Sequence, residues 1–378
     1  MNNKVVLGMS GGVDSSVAAC LLMENGYEVY GCTALFNDDE ASRQAIIDAA
    51  QTCELLGIQH CVYDATGLFE KEVIQNFVNG YEQGITPSPC VVCNRECKIP
   101  VLLRVAEEKN CDFIATGHYA QIVHDKTTGE VSIQKAQDPK KDQSYMLAQL
   151  PQSYINSLLL PLGKYTKSQI RALAAERNLA CAKKAESQDI CFIKDNYENF
   201  LDMRNISSEK GNIVNSSGEV LGRHEGLYRY TIGQRKGIGI AAREPLYVIG
   251  KDIEQNALIV GFKNETFISA VLVDDMEWQC GVIPQEIVPI CVKLRYRSNE
   301  VSARFISKNA FDKMLGLEYF KEEIRQFDKL CELFKEDSQA FIILDEPQTT
   351  TAPGQYAVFY QDDVVLGSGC ITEVFSAR

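Results

Sequence analysis

Lys4-Val5-Val6-Leu7-Gly8-Met9-Ser10-Gly11-Gly12-Val13-Asp14-Ser15-Ser16-Val17-Ala18-Ala19-Cys20 is the stretch whose reading decides the fold. Lys4–Met9 reads as a buried strand and Asp14–Asn25 as a helix stopped by Gly26. A glycine-rich turn between a strand and a helix lets backbone N–H groups approach an anion closely, and the helix dipole adds attraction. Gly11 and Gly12 permit the turn, the hydroxyls of Ser10, Ser15 and Ser16 are candidate phosphate donors, and Asp14 falls in the first helical turn. The plainer alternative is a capped helix whose Asp or Ser only satisfies end N–H groups. The stretch lacks the Gly-Lys-Ser/Thr ending with which a Walker loop grips phosphates.

Outward from this turn, strand and helix patterns alternate. Tyr27–Leu35 and Gln59–Tyr63 read as strands, with a helix over Glu40–Leu56 between them. A helix from Leu68 to Tyr81, a loop rich in Pro and Cys, a helix from Arg95 to Lys109 and the strand Asp112–Thr116 follow. Such alternation predicts an α/β fold, a parallel sheet covered by helices on both faces. Tyr119–Lys135, with Asp125–Gly129 at its turn, reads as a β-hairpin, and helical patterns fill Gln143–Arg204. Beyond that the texture changes. Gly211–Val260 is dense in Gly with short β-like runs, and from Ser269 alternating runs predict a terminal β-barrel interrupted by a charged helical insertion at Asn309–Lys335. The expected division is 1–205 for the nucleotide-binding part, 206–268 for a small β-rich module and 269–378 for the barrel.

The chain has 378 residues, 45% hydrophobic and 24% charged, enough for two or three domains with real cores. No apolar run approaches the roughly 20 residues needed to span a bilayer. The N-terminus runs straight into a strand, which leaves no room for a signal peptide, so a cytoplasmic location without membrane partners is expected. In that compartment 14 cysteines are not a disulfide framework. Cys20, Cys32, Cys53, Cys61, Cys111 and Cys291 sit among apolar neighbours and read as small core residues. Cys90, Cys93, Cys97 and Cys191 lie in polar or turn-rich settings. Cys90 and Cys93 stand on a loop leading into a helix, where the helix N-terminus favours thiolate. A zinc site on Cys90, Cys93 and Cys97 would need a further cysteine or histidine pair, which the chain does not supply.

The formal net charge of −13 argues mildly against nucleic acid, but a local basic patch matters more than the sum. Lys164, Lys167, Arg171, Arg177, Lys183 and Lys184 give the region after the sheet a basic character, and Arg223, Arg229, Arg235 and Lys236 do the same for the small module. Such groups can neutralise phosphates. For any single one, a solvated face is the simpler reading.

The loop Ser10–Ser15 resembles the PP-loop of enzymes that split ATP between the α- and β-phosphates and adenylate a substrate oxygen. Further stretches extend the resemblance: Thr86-Pro87-Ser88-Pro89 followed by Cys93-Asn94, Ala115-Thr116-Gly117-His118-Tyr119-Ala120, Lys141-Asp142-Gln143-Ser144-Tyr145 and Ser187-Gln188-Asp189-Ile190-Cys191-Phe192-Ile193. Tyr230-Thr231-Ile232-Gly233-Gln234-Arg235-Lys236-Gly237 and Pro353-Gly354-Gln355-Tyr356-Ala357-Val358-Phe359-Tyr360 complete it. Taken in order, these motifs resemble the bacterial tRNA-specific 2-thiouridylase (MnmA) family nearly end to end.

The resemblance implies a tRNA-uridine 2-sulfurtransferase that replaces O2 of the wobble uridine with sulfur. By resemblance, ATP, with Mg2+, lies against Gly8, Met9, Ser10, Gly11, Gly12, Val13, Asp14, Ser15, Ala34 and Gly117. Cys191 would carry a persulfide and Cys93 would act as nucleophile, attacking that persulfide or closing a Cys93–Cys191 disulfide. Ser88, Pro89 and Cys90 would face the target base. Lys141, Asp142, Gln143, Arg295 and Tyr296 would touch the anticodon arm, and His118 and Gln355 would discriminate. The partners implied are tRNAs of the Lys, Glu and Gln type and a sulfur donor such as a cysteine desulfurase or sulfur-relay protein. One position departs from the family. Its best-known members carry Asp three residues before the loop cysteine, where this chain has Cys90. Related tRNA thiolases hold a [4Fe–4S] cluster with a C-x-x-C pair and a distant cysteine, so Cys90, Cys93 and Cys191 could serve either as cluster ligands or in a persulfide relay.

Overall fold

The computed structural model describes residues 3–124, 129–184, 190–206, 209–279, 282–325, 327 and 329–377. Residues 125–128 and 185–189, the latter holding Ser187, Gln188 and Asp189, lie outside the described residues.

Strands β1 (Lys4–Gly8), β2 (Glu28–Leu35), β3 (Gln59–Asp64) and β4 (Phe113–Ala115) form the expected parallel sheet. A hairpin, β5 (Ala120–His124) and β6 (Val131–Lys135), follows, and then the two-residue strand β7 (Leu158–Leu159). The sheet order is β3-β2-β1-β4-β7. Strand β7 falls inside the stretch expected to be helical throughout; two residues are too short to show a period, and its pairing with β4 decides it. The chain leaves β1 toward β2 and β3, then crosses back to place β4 on the other side of β1. That reversal opens a crevice beyond the carboxyl ends of β1 and β4, where ligands of open α/β sheets bind.

Two helices run longer than their periodicity indicates. Thr66–Phe69 continues through a π-helical turn, Glu70–Ile74, into Gln75–Glu82. Pro89–Cys93 continues through another, Asn94–Lys98, into Ile99–Glu108. Each π turn inserts one extra residue and shifts the apolar stripe, so a 3.6-residue period misses the first turns. The second helix therefore starts at Pro89, ahead of the two cysteines of the loop.

Strands β8 (Gly211–Asn215), β9 (Val220–His224), β10 (Tyr247–Asp252) and β11 (Ala257–Gly261) form a four-stranded sheet in the order β10-β11-β8-β9. Strands β12 (Phe267–Trp278), β13 (Val288–Lys293), β14 (Val301–Ser307), β15 (Ala340–Thr349), β16 (Tyr356–Gln361) and β17 (Val364–Ser376) close a barrel, because β12 pairs with both β15 and β17. Closure removes the sheet edges that would otherwise invite aggregation. Between β14 and β15 the helices Lys308–Met314, Glu318–Ile324 and Leu330–Leu333 occupy the expected insertion and bury Phe311, Phe320, Phe327 and Phe334 against the barrel's outer face.

The hairpin corrects the expected organisation. It does not extend the parallel sheet; β6 pairs with β17, so β5 and β6 lengthen the barrel's sheet to eight strands. Lys135 fixes the join, donating to Glu300 Oε2 at 2.8 Å and to the Asp362 carbonyl at 2.7 Å. One hydrophobic core then runs from Val6, Leu102 and Ile114 through Ile133 and Tyr145 to Tyr356, Val358 and Tyr360. The nucleotide-type sheet and the barrel are welded together through this core.

Candidate active site

The phosphate loop is built almost entirely from its own residues. Gly11 adopts φ +65°, and a Cβ there would meet the Ala45 carbonyl at 2.6 Å, so only glycine fits. Gly12 is different. Its φ of −100° is open to any residue, and a Cβ would meet Ser10 Oγ at 3.4 Å. The Ser16 hydroxyl donates to the Gly12 carbonyl at 2.8 Å and that of Ser15 does so at 3.3 Å, while the Ser10 N–H is accepted by Ser15 Oγ. Ser15 and Ser16, expected as phosphate donors, are thus buried braces of the turn, and Ser10 alone of the three hydroxyls is exposed.

The helix Val13–Glu24 begins at Gly12 with no side-chain cap. Four other helices are capped by side chains, with Asp39, Thr166, Asn196 and Ser307 each accepting from a first-turn N–H, while helices such as Pro89–Cys93 and Gln152–Ile155 also begin without one. With Gly12 at the N-cap, the first amides of Val13–Glu24 forgo only about a few tenths of a kcal/mol, and they stay free to take an anion. Asp14 accepts from the Tyr119 hydroxyl at 2.7 Å and from Lys167 Nζ at 2.7 and 2.8 Å. Gly117, at the end of β4, lies against the same turn; a Cβ would come within 3.2 Å of the Ser15 nitrogen. Met9 is buried, with its N–H donated to Cys32, and Ala34 lines the end of β2.

Four of the ten basic groups expected to serve RNA pair with acidic side chains of the protein. Lys167 holds Asp14, Lys184 reaches Asp48 at 2.6 Å and the Gly11 carbonyl at 3.1 Å, Arg177 pairs with Glu24 and Arg229 with Asp202. Two of them therefore support the phosphate loop.

The cysteine site comes from distant segments. Thr86 leads into it, and the barrel pins Thr86: its N–H donates to the Pro353 carbonyl at 2.8 Å and its carbonyl accepts from Gln355 Nε2 at 2.8 Å. Gly354 has φ +89°, and a Cβ there would lie 2.9 Å from the Thr86 carbonyl. Pro87 packs on Gly80, which has no room for a Cβ. Ser88 is half-buried and Pro89 buried, and Cys90 and Cys93 follow one helical turn apart.

Cys191 stands on a tight turn in which the Ile193 N–H donates to Ile190 at 3.0 Å. Phe192 anchors the turn, with ring centroids 5.7 Å from Phe69, 5.3 Å from Phe77 and 5.1 Å from Phe200. Contacts of this kind contribute about 0.5–1.5 kcal/mol each. Cys93 and Cys97 belong to the same apolar cluster as Phe69, Val73 and Ile74, with Phe192 packed on it. Cys90 and Cys191 are exposed, whereas Cys93 keeps only 8% of its surface.

The expectation of thiolates is not met. Burial raises the thiols of Cys90 and Cys191, and it pushes Cys93 up to about 12. For Cys93 that shift is on the order of 4 kcal/mol, while a helix N-terminus offers about 0.3–1 kcal/mol, so desolvation wins. The opposing influence is a residue the sequence did not single out. Lys98, at the end of the π turn, lowers all three thiols and also helps hold His118 neutral. His118 is driven well below the usual histidine range by burial first and Lys98 second, and it exchanges a 2.8 Å hydrogen bond with Thr116. The π turn that hides the helix start also hides Lys98's alignment with the cysteines.

Tyr296, just past β13, lies within electrostatic reach of Cys90. Burial raises its phenol, and Lys141 and Cys90 are among the groups whose charges reach it. Its ring lies 5.9 Å from that of Tyr145. Other residues expected to face RNA turn inward. Asp142 is buried, accepting from Ala136, Ser144 N–H and Ser144 Oγ at 3.0, 3.2 and 2.9 Å. Gln143 accepts from the Tyr119 N–H, and Arg295 donates to the Ile232 carbonyl at 3.0 Å, tying the barrel to the middle module.

Cys90, Cys93 and Cys191 lie close enough for their charges to act on one another. Among the described residues no three His, Cys, Asp or Glu side chains are placed to hold a single metal ion, and binding a [4Fe–4S] cluster at Cys90, Cys93 and Cys191 would have to displace the proton from the raised, buried Cys93 thiol. No described helix is long and apolar enough to cross a membrane.

Comparison with known proteins agrees with this geometry. The family described as tRNA methyl transferase HUP domain matches residues 3–195, its PRC-barrel domain 198–262, and the aminomethyltransferase beta-barrel domain 320–371. A tRNA-specific 2-thiouridylase MnmA from Nostoc punctiforme is 39% identical over 98% of this chain and 99% of its own. One from Gloeothece citriformis is 41% identical over 98% and 99%. Among solved structures, the U34-tRNA thiolase NcsA from Methanococcus maripaludis, with its [4Fe–4S] cluster, covers 53% of this chain and 64% of its own at 22% identity and a TM-score of 0.33, too distant to carry an argument. Near-complete coverage at about 40% identity establishes the family: the chain belongs to the tRNA-specific 2-thiouridylases.

Proposed function

We propose that this chain is a tRNA-uridine 2-sulfurtransferase that adenylates O2 of the wobble uridine with ATP and replaces it with sulfur carried as a persulfide on Cys191. One observation carries the reading: the uncapped phosphate loop at the β1–β4 crevice lies against Gly117, and the next residue, His118, feels the charge of Lys98, which also acts on Cys90, Cys93 and Cys191. The C2 carbonyl of uridine is urea-like and a poor electrophile. Attack of O2 on the α-phosphate releases pyrophosphate and turns O2 into part of a leaving group, AMP. Sulfur then bonds C2 as AMP departs.

The amides of Gly12, Val13 and Asp14 would hold the phosphates, with Mg2+ as the usual companion of ATP. Asp14, fixed by Tyr119 and Lys167, orients the first helical turn. Lys98 supplies positive charge where thiolate and hydrosulfide character develop. Neutral His118 can donate or accept one hydrogen bond at the base, and Tyr296 offers a ring beside Cys90 on which an unstacked base can rest. Catalysis is assigned to 1–205, where Ser88–Cys90 and Lys141 would also meet the RNA, and further RNA docking to 206–268 and 269–378, with anticodon arms of the Lys, Glu and Gln type as substrates and a cysteine desulfurase or relay protein as sulfur source.

The deciding experiment supplies purified protein with unmodified tRNA, ATP, a cysteine desulfurase and cysteine. The expected result is 2-thiouridine in nucleoside digests together with tRNA-dependent release of pyrophosphate. ATP cleavage without sulfur in the tRNA would sink the reading.

A further inference from the structure

The peptide between Gly11 and Gly12 is the link of the phosphate loop most free to rotate, since neither neighbour has a Cβ to restrict it. The loop's own hydroxyls do not hold it: Ser15 and Ser16 donate to the Gly12 carbonyl, one peptide further on. The Gly11 carbonyl accepts instead from Lys184 Nζ at 3.1 Å, and the same ammonium donates to Asp48 Oδ2 at 2.6 Å. Gln44 donates to the other carboxylate oxygen at 2.8 Å and so fixes Asp48 from the far side. Gly11 itself packs on the helix Glu40–Leu56 that carries Asp48; a Cβ there would meet Asp48 Cβ at 2.9 Å.

A trans peptide points its carbonyl and its N–H to opposite sides. With the Gly11 carbonyl turned to Lys184, the Gly12 N–H faces away from that lysine, among the uncapped amides at the start of Val13–Glu24. The helix Glu40–Leu56 also reaches the sulfur-bearing segment. Its N-cap, Asp39, accepts from the Ser42 N–H at 2.8 Å, lies 3.3 Å from Lys194 Nζ and is within electrostatic reach of Cys191. Lys184 and Lys194 thus tie the chain on both sides of Cys191 to one helix, and the first of them also holds the phosphate loop.

We propose that Lys184, seated on Asp48, is a positioning residue of the reaction: it locks the Gly11–Gly12 peptide with its N–H toward the phosphates and registers the Cys191 segment to the nucleotide loop. This deepens the reading above, ATP activation with a Cys191 persulfide, and rests on it. The pair contributes little to stability, because the Lys184 and Asp48 side chains keep 43% and 25% of their surface. Its effect is one of direction. Without Lys184 the peptide can turn, and the phosphates lose an amide at the helix end. A lysine that bound phosphate itself would behave differently, since releasing it from Asp48 would strengthen ATP binding.

The test is calorimetric binding of α,β-methylene ATP to the full-length protein, with thermal melts and tRNA affinity measured beside it. Lys184→Met and Asp48→Asn should each raise the nucleotide Kd about tenfold, the scale of one charge-assisted hydrogen bond. The double variant should be no weaker than either single one, and Lys184→Arg, which keeps a cationic donor, should fall between wild type and Lys184→Met. Melting temperature and tRNA affinity should not move. At saturating ATP, sulfur transfer in a single turnover of persulfide-loaded Lys184→Met should still be about fivefold slow, because the Cys191 segment has lost its register. An unchanged Kd in Lys184→Met, tighter binding in Asp48→Asn, or full-rate transfer at saturating ATP overturns the proposal. A wild type that binds no ATP or makes no 2-thiouridine would instead remove the functional reading beneath it.

Discussion

The phosphate loop and the cysteine site are specified in opposite ways. The phosphate loop closes on itself: Ser10, Gly12, Ser15 and Ser16 bond to one another within a few residues. The cysteine site has no such autonomy. Its helix, its turn and Tyr296 come from the first half of the chain, from Ile190–Ile193 and from just past β13, and Gln355 holds it from 269 residues away. Anion binding needs only backbone amides at a helix end, which a short segment can provide. Sulfur transfer needs groups whose ionisation and exposure are set independently, which takes several elements.

The largest expected effect tests the local end of this contrast. Gly11→Ala forces a Cβ toward the Ala45 carbonyl at positive φ, and should cost about 1–3 kcal/mol of stability with loss of ATP binding. Gly12→Ala should keep the wild-type melting temperature yet weaken ATP, since the room it fills is on the ligand side; calorimetry and thermal melts separate the two. Lys98→Met tests the composite end. It should slow sulfur transfer about tenfold to a hundredfold, the size of one or two units of lost thiol acidity, and leave ATP affinity unchanged in single-turnover assays.

Lys251 provides a third contrast, in the support beneath the cysteine loop. Its Nζ is buried without a hydrogen-bond partner among the described residues, 6.0 Å from the Tyr81 ring, and burial lowers it to about 8. Below that value the folded protein carries a desolvated charge, and the penalty is relieved as pH rises from about 8 toward the ordinary lysine range. Lys251→Met should therefore stabilise the protein at pH 7 by about 2 kcal/mol in urea titrations and abolish the rise in stability at alkaline pH. Gln355→Ala should lower the thiolation rate about fivefold through a loosened Thr86, with pyrophosphate-site affinity intact, measured as kcat against ATP KM.

The smallest effect is a pH slope. His118 stays neutral in the folded protein, while the unfolded chain takes up a proton as pH falls through about 6.5. Stability is lost in that direction, and His60 and His224, also lowered by burial, add to it. His118→Gln should recover about 1 kcal/mol of the loss between pH 7 and 5.5 in denaturant midpoints.

The same contrast explains what was legible in the sequence. The parallel sheet, the phosphate loop and the insertion helices announce themselves because strand, turn and helix signals are local. The destination of β5 and β6 does not, since their partner β17 is fixed by packing more than two hundred residues on. Helix-end position favoured thiolates at Cys90 and Cys93, but only the fold reveals how thoroughly Phe69, Ile74 and Phe192 strip water from the site. The basic residues were visible and their acidic partners were not: Lys167 and Lys184 turned out to serve Asp14 and Asp48.

The hairpin borrowed by the barrel also bears on how the chain is made. Synthesis delivers Lys135 well before Asp363, 228 residues later, so the first half leaves the ribosome with Ile133 and Tyr145 lacking their cover. The nucleotide fold can begin to form vectorially, but its apolar flank stays uncovered until the last strands emerge, and a chain released early exposes a surface for chaperones or aggregation. Final assembly thus acts as a completeness check: only a full-length chain gains both the sealed core and the Gln355 tether that shapes the sulfur site.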